Sequence, residues 1–390
     1  MSAVVRHYLL AAGGTGGHLL PAFALASELL ARGHKVALVT DARGARIPGV
    51  PDGVDVHLLP AGRMDGSFMD RLRALNAIRT GRRLALSLLR QYRPSTVVGF
   101  GGYPALPALL AAQTARVPYV IHEQNAVIGR VNRLLAARSY AVATAYGKVD
   151  RMPAAARAKV RQVGNPVREP VLALRDQPFP PYRGGGSLRL LVTGGSQGAR
   201  VLSQVVPAGL AMLPLAVRAQ LHVTQQCRPE DIDEVRAQYA RHDISADLAT
   251  YFENMAQRLA DAHLFIGRAG ASTIAELTAV GRPSILIPLP IATNDHQTAN
   301  ARELVEAGGA VAMAQRDFTA AALARQVEAF ARDGSALAHA AHQAWNCGQP
   351  DAAKDLADLV ESTGGAPLMD VIRLQQQDAV AIGIRRGVRA

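Results

Sequence analysis

Cysteine is nearly absent: among 390 residues only Cys227 and Cys347 occur. That excludes a disulfide framework and a paired-cysteine zinc site, and it fits a reducing compartment. Aromatic residues are also scarce, at 5%, so the stacking platforms that bind single-stranded nucleic acid are few and no nucleic-acid partner is expected. No apolar run approaches the ~18 residues needed to span a bilayer. Residues 1–20 lack the charged start, apolar centre and small-residue cleavage site of a secretion signal, so a cytoplasmic protein is expected. Lysine is rare, four against 39 arginines, yet the net charge is +12; anionic lipid or a phosphorylated small molecule would answer it. Charged residues, at 19%, are too few and hydrophobic ones, at 49%, too many for a disordered chain. At roughly 150 residues per domain, the length predicts two or three domains.

What is present is an internal repeat. Residues 8–12 (YLLAA) read as a buried strand, 13–17 (GGTGG) as a tight turn and 19–31 as an apolar helix. The plan recurs roughly 180 residues later as 188–193 (LRLLVT), 194–198 (GGSQG) and 199–213. Further strands are expected at 35–40, 96–99, 221–224 and 284–288. Strands alternating with helices through short connections pair in parallel. The expected class is therefore α/β: two Rossmann-like, doubly wound parallel-sheet domains facing each other across a cleft. GNPVR at 164–168 and the Pro- and Gly-rich QPFPPYRGGG at 177–186 mark the boundary region. The expected units are 1–164, 165–348, a helix at 349–363 returning to the first domain, and an appended tail at 364–390.

A glycine-rich turn between strand and helix lets backbone N–H groups approach an anion at the positive end of the helix dipole. Three such turns occur, at 13–17, 99–102 (GFGG) and 194–198, and imply more than one phosphate-bearing ligand. None fits G-x-G-x-x-G followed by an acid ~20 residues on, because after GGTGGH the nearest acid, Asp41, lies further away. A dinucleotide oxidoreductase is the poorer assignment.

His18 closes the first turn. At a helix start, where the dipole favours the neutral imidazole, it suits a general base, unless it merely caps the helix. HEQN at 122–125 follows a strand expected at 118–121, either as an ordinary polar turn or as part of a site, since ligands of parallel sheets bind at strand ends. RAGAST at 268–273 follows a strand at 263–267 and leads into a helix carrying Glu276. The T-x-x-E spacing is a capping box or, equally, a diphosphate site with Glu276 one turn on to accept bonds from ribose hydroxyls. NDHQ at 294–297 is placed to read sugar hydroxyls. The one D-x-D, Asp231 and Asp233, lies in a charged surface run, so neither a metal nor another cofactor is expected.

In this order and spacing, GGTGGH at 13–18, GFGGYP at 99–104, HEQN at 122–125, GNPVR at 164–168, GGSQGAR at 194–200, RAGAST…E at 268–276 and DHQTANA at 295–301 become specific. Together they closely resemble the bacterial peptidoglycan N-acetylglucosaminyltransferases of glycosyltransferase family 28, two-domain enzymes of the GT-B type, over about residues 7–361. The resemblance implies inverting transfer of GlcNAc from UDP-GlcNAc to the MurNAc 4-hydroxyl of lipid I (undecaprenyl-diphosphate-MurNAc-pentapeptide), giving lipid II. It makes 1–164 the acceptor-binding and membrane-docking domain and 165–348 the UDP-GlcNAc-binding domain. Arg168 and Ser196 then contact the diphosphate, Phe252 holds uracil through its backbone, Ala271, Ser272 and Thr273 flank the phosphates, and Glu276 takes the ribose. Asn125 and Gln297 read the sugar hydroxyls, and Thr15, Gly16 and Gly17 close over from the other domain. The acceptor diphosphate lies against Gly13, Gly14, Gly101, Gly102 and Tyr103. Thr298 departs from the second glutamine that some members carry there. Two other functions share these features: a non-hydrolysing UDP-GlcNAc 2-epimerase, and a non-catalytic nucleotide-sugar sensor of cell-wall assembly.

Residues 63–93 hold eight arginines against Asp65 and Asp70. Phe68, Met69, Leu72, Leu75 and Ile78 recur at helical spacing before Gly81, and Leu84, Leu86, Leu88 and Leu89 follow in a second helical run. Such residues form domain core or, beside so many arginines, an anionic-membrane contact. The resemblance implies the latter and a peripheral location on the cytoplasmic face of the inner membrane. Its implied partners are UDP-GlcNAc, lipid I, the anionic membrane surface and other cell-wall synthesis and division proteins.

Overall fold

The short apolar runs of the first half become strands in the computed structural model, which describes residues 5–62, 67–195, 198–290 and 295–364. These strands are β1 (His7–Ala11), β2 (Lys35–Thr40), β3 (Val54–Leu58), β4 (Thr96–Gly99), β5 (Tyr119–Glu123), β6 (Ala141–Thr144) and β7 (Val160–Gln162). They pair in parallel in the order β3-β2-β1-β4-β5-β6-β7. The second half supplies β8 (Leu188–Thr193), β9 (Leu221–Gln226), β10 (Ser245–Ala249), β11 (Leu264–Gly267), β12 (Ser284–Leu286) and β13 (Ala310–Ala312). Their order is β10-β9-β8-β11-β12-β13, again parallel throughout. The helices between the strands are α1 (Gly16–Ala31), α2 (Phe68–Tyr92), α3 (Leu106–Ala115), α4 (Arg130–Leu135), α5 (Glu169–Leu172), α6 (Arg200–Ala211) and α7 (Leu215–Arg218). They continue with α8 (Ile232–Arg241), α9 (Met255–Asp261), α10 (Ala271–Ala279), α11 (His296–Glu306), α12 (Ala320–Arg332), α13 (Gly334–Asn346) and α14 (Ala352–Gly364).

Side chains alternate across a strand, so each central strand feeds two cores. Leu9 and Ala11 of β1 pack with α2 and α3, while Tyr8 and Leu10 pack with α1 and α14. In β8, Leu188, Leu190 and Val192 enter one core and Leu191 the other. Burial on both faces is why these strands read as continuous apolar runs. After the second sheet the chain crosses back, and α14 lays Leu356, Ala357 and Val360 on the first domain's core. Its polar side is tied down by Arg32, which pairs with Asp358 at 2.5 Å and Glu361 at 2.7 Å, and by His34, 2.6 Å from Glu361.

Residues 68–92 form one helix, α2, and not two runs divided at Gly81. A Cβ at position 81 would stand 2.4 Å from the Pro60 carbonyl oxygen; the glycine permits close approach to the domain instead of breaking the helix. Ser67 and Asp70 cap it reciprocally. Ala74, Ile78, Gly81, Ala85 and Leu89 form its buried stripe. Phe68, Met69, Leu72, Leu75 and Leu84 point outward, Phe68 being 74% exposed and Met69 57%.

Two histidines are sealed inside, His122 in β5 and His263 before β11. Burial is the main cause that lowers each from 6.5 to about 4, with Arg189 and Arg282 adding to it at His263. Both rings stay neutral in the fold but protonate in the unfolded chain near 6.5. Stability is thus fullest above that value and falls as the pH drops towards about 4. We expect the urea midpoint to be lower at about pH 5 than at about pH 7.5, and His263→Gln to reduce the difference.

The tail expected beyond the last helix lies, from residue 365 on, outside the described residues.

Candidate active site

In each sheet the strand order reverses once, and the crevice beyond the strand ends at that reversal is where ligands of doubly wound folds bind. In the first sheet it lies between β1 and β4, in the second between β8 and β11. The loops following these four strands include residues 12–15, 100–102, 194–195 with 198–199, and 268–270, so the glycine-rich turns and the start of RAGAST all converge on switch points.

At the first switch point Thr15 is the N-cap of α1 and makes no side-chain capping bond, with Gly16 and Gly17 opening the helix. Gly101 and Gly102 have φ of +83° and +74°. A Cβ on Gly102 would come within 3.1 Å of the Gly13 carbonyl oxygen and 3.4 Å of His18 Cδ2; glycine there lets the second loop lie on the first. Tyr103 begins the short turn leading into α3. The Gly14 N–H is already engaged, donating to Asp41 Oδ1 at 3.1 Å. Burial pushes the Asp41 carboxyl up, but the N–H groups of Gly44 and Gly14 and the Arg43 guanidinium outweigh it and hold the group below its ordinary range. Asp41 is thus a strut for this loop, and it aims Arg43, bonded through Nε and Nη2 at 3.0 and 2.9 Å, at the cavity described below.

His18 does not cap α1. Its Nδ1 lies 3.2 Å from Gln124 Oε1, across 106 residues of sequence. HEQN is not a separate turn: His122 and Glu123 are the last residues of β5, and all three of His122, Glu123 and Gln124 are buried. Glu123 accepts four bonds, from Asn125 N and Nδ2, Gly129 N and Asn132 Nδ2, at 2.8 to 3.3 Å, and so shapes residues 124–132.

At the second switch point the N-cap of α10 is Gly270, which has no side chain to cap with, and this discards the capping box. The Ser272 hydroxyl is buried and has no partner. Glu276 is instead paired with Arg168, whose Nη2 and Nε reach Oε1 at 2.7 and 2.9 Å. Burial raises the Glu276 carboxyl above its ordinary range, against the pull of Arg168. The two residues expected on diphosphate and ribose therefore stand together. Gln297 Oε1 accepts from Leu289 N at 2.9 Å. Phe252 is buried with the Arg258 guanidinium 4.2 Å above its ring. Arg268 is a strut, donating to the Ile287 and Pro288 carbonyls and to Gln315. Ser196 lies outside the described residues. Asp231 and Asp233 sit at the start of α8, with Asp233 paired to Arg236.

The domains meet through Asn300 of α11. Its Oδ1 accepts from Ala126 N at 2.8 Å, and its Nδ2 donates to Asn125 Oδ1 at 3.1 Å and to the Ala269 carbonyl at 3.3 Å. Ala299 completes an apolar contact with Ala126, Val127, Ala145 and Tyr146. A cavity of about 350 Å³ opens beside this contact, lined by residues 13–15, His18, Arg43, residues 101–104, Asn125, Arg130 and, from the second domain, His296. Asn300 of DHQTANA and His122 and Gln124 of HEQN had no role expected of them from the sequence. The available signal was polar residues ending an otherwise apolar parallel strand or lying on a mostly apolar helix face.

Residues 8–144 match the glycosyltransferase family 28 N-terminal domain, and residues 189–360 the glycosyltransferase family 28 C-terminal domain. The chain is 64% identical over 383 residues, 98% of its length and 99% of the relative's, to the UDP-N-acetylglucosamine--N-acetylmuramyl-(pentapeptide) pyrophosphoryl-undecaprenol N-acetylglucosamine transferase of Novosphingobium aromaticivorans. It is 62% identical over 381 residues, 98% of its length and 96% of the relative's, to the protein of the same name from Erythrobacter litoralis. The crystal structure of Acinetobacter baumannii MurG superposes with a TM-score of 0.74 at 28% identity, covering 92% of this chain and 99% of that one. The calicheamicin glycosyltransferase CalG4, at 18% identity and a TM-score of 0.63 over 94% of this chain and 100% of that one, shares the fold.

Proposed function

The chain belongs to glycosyltransferase family 28, and from that premise we propose that it transfers GlcNAc from UDP-GlcNAc to the MurNAc 4-hydroxyl of lipid I, with inversion, to form lipid II. The observation that carries this is the pairing of two uncapped helix starts, α1 with His18 and α10 with the unpartnered Ser272 hydroxyl, one at each switch point, on either side of the Asn300 contact. The α10 start, Ser272 and Arg168 receive the diphosphate; Glu276 takes the ribose once Arg168 turns to the phosphates. The acceptor enters the cavity beside residues 101–104, Arg43 and Arg130.

In the reaction, His18 takes the proton of the attacking hydroxyl, that oxygen bonds to the anomeric carbon from the face opposite the diphosphate, and the bond to UDP breaks. The electron pair leaves on the diphosphate, where the preorganised N–H groups of α10 and Arg168 stabilise it. Radiolabelled UDP-GlcNAc, incubated with and without a lipid I analogue, tests the proposal. UDP release that depends on acceptor supports it; ManNAc formed without acceptor, or binding without turnover, would point to the epimerase or the sensor. The names carried by relatives at 64% and 62% identity favour transfer over both.

Among the described residues no helix is long and apolar enough to cross a membrane. We propose that the protein reaches its lipid acceptor peripherally, from the cytoplasmic face, through α2. Phe68, Met69, Leu72 and Leu75 are exposed there, and Arg71, Arg73, Arg79 and Arg83 are exposed around them. Apolar side chains entering the interface and roughly 1 kcal/mol per arginine near an anionic surface give reversible binding that salt weakens. Flotation with phosphatidylglycerol vesicles should be largely lost when Phe68, Met69 and Leu72 are changed together to Ser, or Arg71, Arg79 and Arg83 together to Glu. Arg82 is left in place because it donates to Thr114 at 2.7 Å. Undiminished flotation of both variants would move the contact elsewhere.

A further inference from the structure

A chain of polar contacts runs inward from His18 and is absorbed by no step above. His18 Nδ1 lies 3.2 Å from Gln124 Oε1, Gln124 Nε2 lies 3.0 Å from His122 Nδ1, and His122 Nε2 lies 2.9 Å from the Gly164 carbonyl oxygen. His122 and Gln124 are 0% and 1% exposed, so water does not compete for these positions.

Two backbone carbonyls decide where every hydrogen in the chain must be, because a carbonyl oxygen can only accept. Gly164 O requires the His122 proton on Nε2. The ring is neutral, its pKa lowered by burial to about 4, so His122 Nδ1 carries a lone pair and accepts. The carbonyl of His122 itself lies 3.2 Å from Gln124 Nε2, so the Gln124 amide must turn its NH₂ towards His122 on two counts. Its oxygen then faces His18 and can only accept, which places a hydrogen on His18 Nδ1. With one ring hydrogen, on Nδ1, His18 has its lone pair on Nε2. The carbon beside that nitrogen, Cδ2, is the atom that faces Gly102 in the cavity wall.

We infer that Gln124 and His122 are positioning residues that hold His18 in the Nδ1–H tautomer, with Nε2 presented to the acceptor hydroxyl. The inference rests on the assignment of His18 as the base. In serine proteases a carboxylate performs this office and also stabilises the imidazolium; here a neutral amide selects the tautomer without adding charge to a pocket that must admit a diphosphate. The far end of the chain, Gly164, lies four residues before Arg168 in the segment joining the domains, so the base and the donor-side arginine are referenced to one stretch of backbone.

The test uses the full chain labelled with ¹⁵N-histidine, in which long-range ¹⁵N–¹H correlation reports which ring nitrogen bears the proton. At about pH 8, where an ordinary imidazole is neutral, the His18 signal, assigned by its loss in His18→Gln, should show the proton on Nδ1. In Gln124→Leu it should shift towards Nε2–H, with kcat falling about tenfold and KM for UDP-GlcNAc staying within about twofold. Gln124→Glu, which keeps an acceptor facing His18, should keep Nδ1–H. A wild-type His18 protonated on Nε2 would overturn the inference without any variant having to fold, as would a Gln124→Leu protein that retains both Nδ1–H and full kcat. The underlying assignment fails separately: a His18→Ala enzyme with near-normal kcat removes the base while leaving the measured tautomer to stand.

Discussion

His18→Ala is expected to lower kcat by about 10²-fold or more while leaving UDP affinity within a few fold, because a positioned general base contributes about 10² to 10⁴. The split between kcat and binding follows from the placement. His18 belongs to the first domain, on α1, and its ring bonds to Gln124, whereas the groups proposed to hold the donor stand on α10 and on the segment before α5. Truncation at the third residue of α1 removes no core contact, since the half-buried imidazole lines the cavity. Steady-state kinetics with a lipid I analogue, with UDP titrated calorimetrically into the same preparation, measures both quantities. A kcat within a few fold of wild type would sink the base assignment, and a matching loss of UDP affinity would show that the change had spread to the donor site.

Glu276→Ala should act on the other side of the reaction. A carboxylate accepting from ribose hydroxyls makes charge-assisted bonds of about 1.5–3 kcal/mol each, so their loss should raise KM for UDP-GlcNAc by about 10- to 100-fold. The expected effect on kcat at saturation is smaller, because the ribose is remote from the reacting carbon. The Arg168 pairing sharpens the expectation. In the absence of nucleotide Glu276 holds the guanidinium at 2.7 Å, and releasing it to the diphosphate costs part of the binding energy. Glu276→Gln, which keeps an acceptor but lacks the charge that retains Arg168, should therefore lose less affinity than Glu276→Ala. Equal KM values for wild type and Glu276→Ala would remove Glu276 from the nucleotide site, and the ion pair would then be only a brace between α10 and the interdomain segment.

The architecture was legible along the chain because its causes are local. A parallel strand buried on both faces must be a short apolar run, and a turn that enters a helix tightly must carry glycine, so Lys35–Thr40, Thr96–Gly99 and Leu188–Thr193 could be marked at their observed ends from sequence alone. The motif order was legible too, and with it the family. Local causes were insufficient where two chain segments compete for one residue. Gly81 reads as a helix break until the Pro60 carbonyl is seen against it. The expected anion-binding Gly14 N–H belongs to Asp41, 27 residues on. Arg168 and Glu276, 108 residues apart, Asn125 and Asn300, 175 apart, and His18 and Gln124, 106 apart, each proved to be partners. Periodicity carries no record of such pairs, because a hydrogen bond over that separation exists only after the strand order and the packing of the two domains have brought both groups within 3 Å or so of one another. The amino-acid sequence determined which chemical groups were available and at which strand ends they would stand. The tertiary structure alone decided which of them hold one another, and hence which nitrogen of His18 is engaged by Gln124.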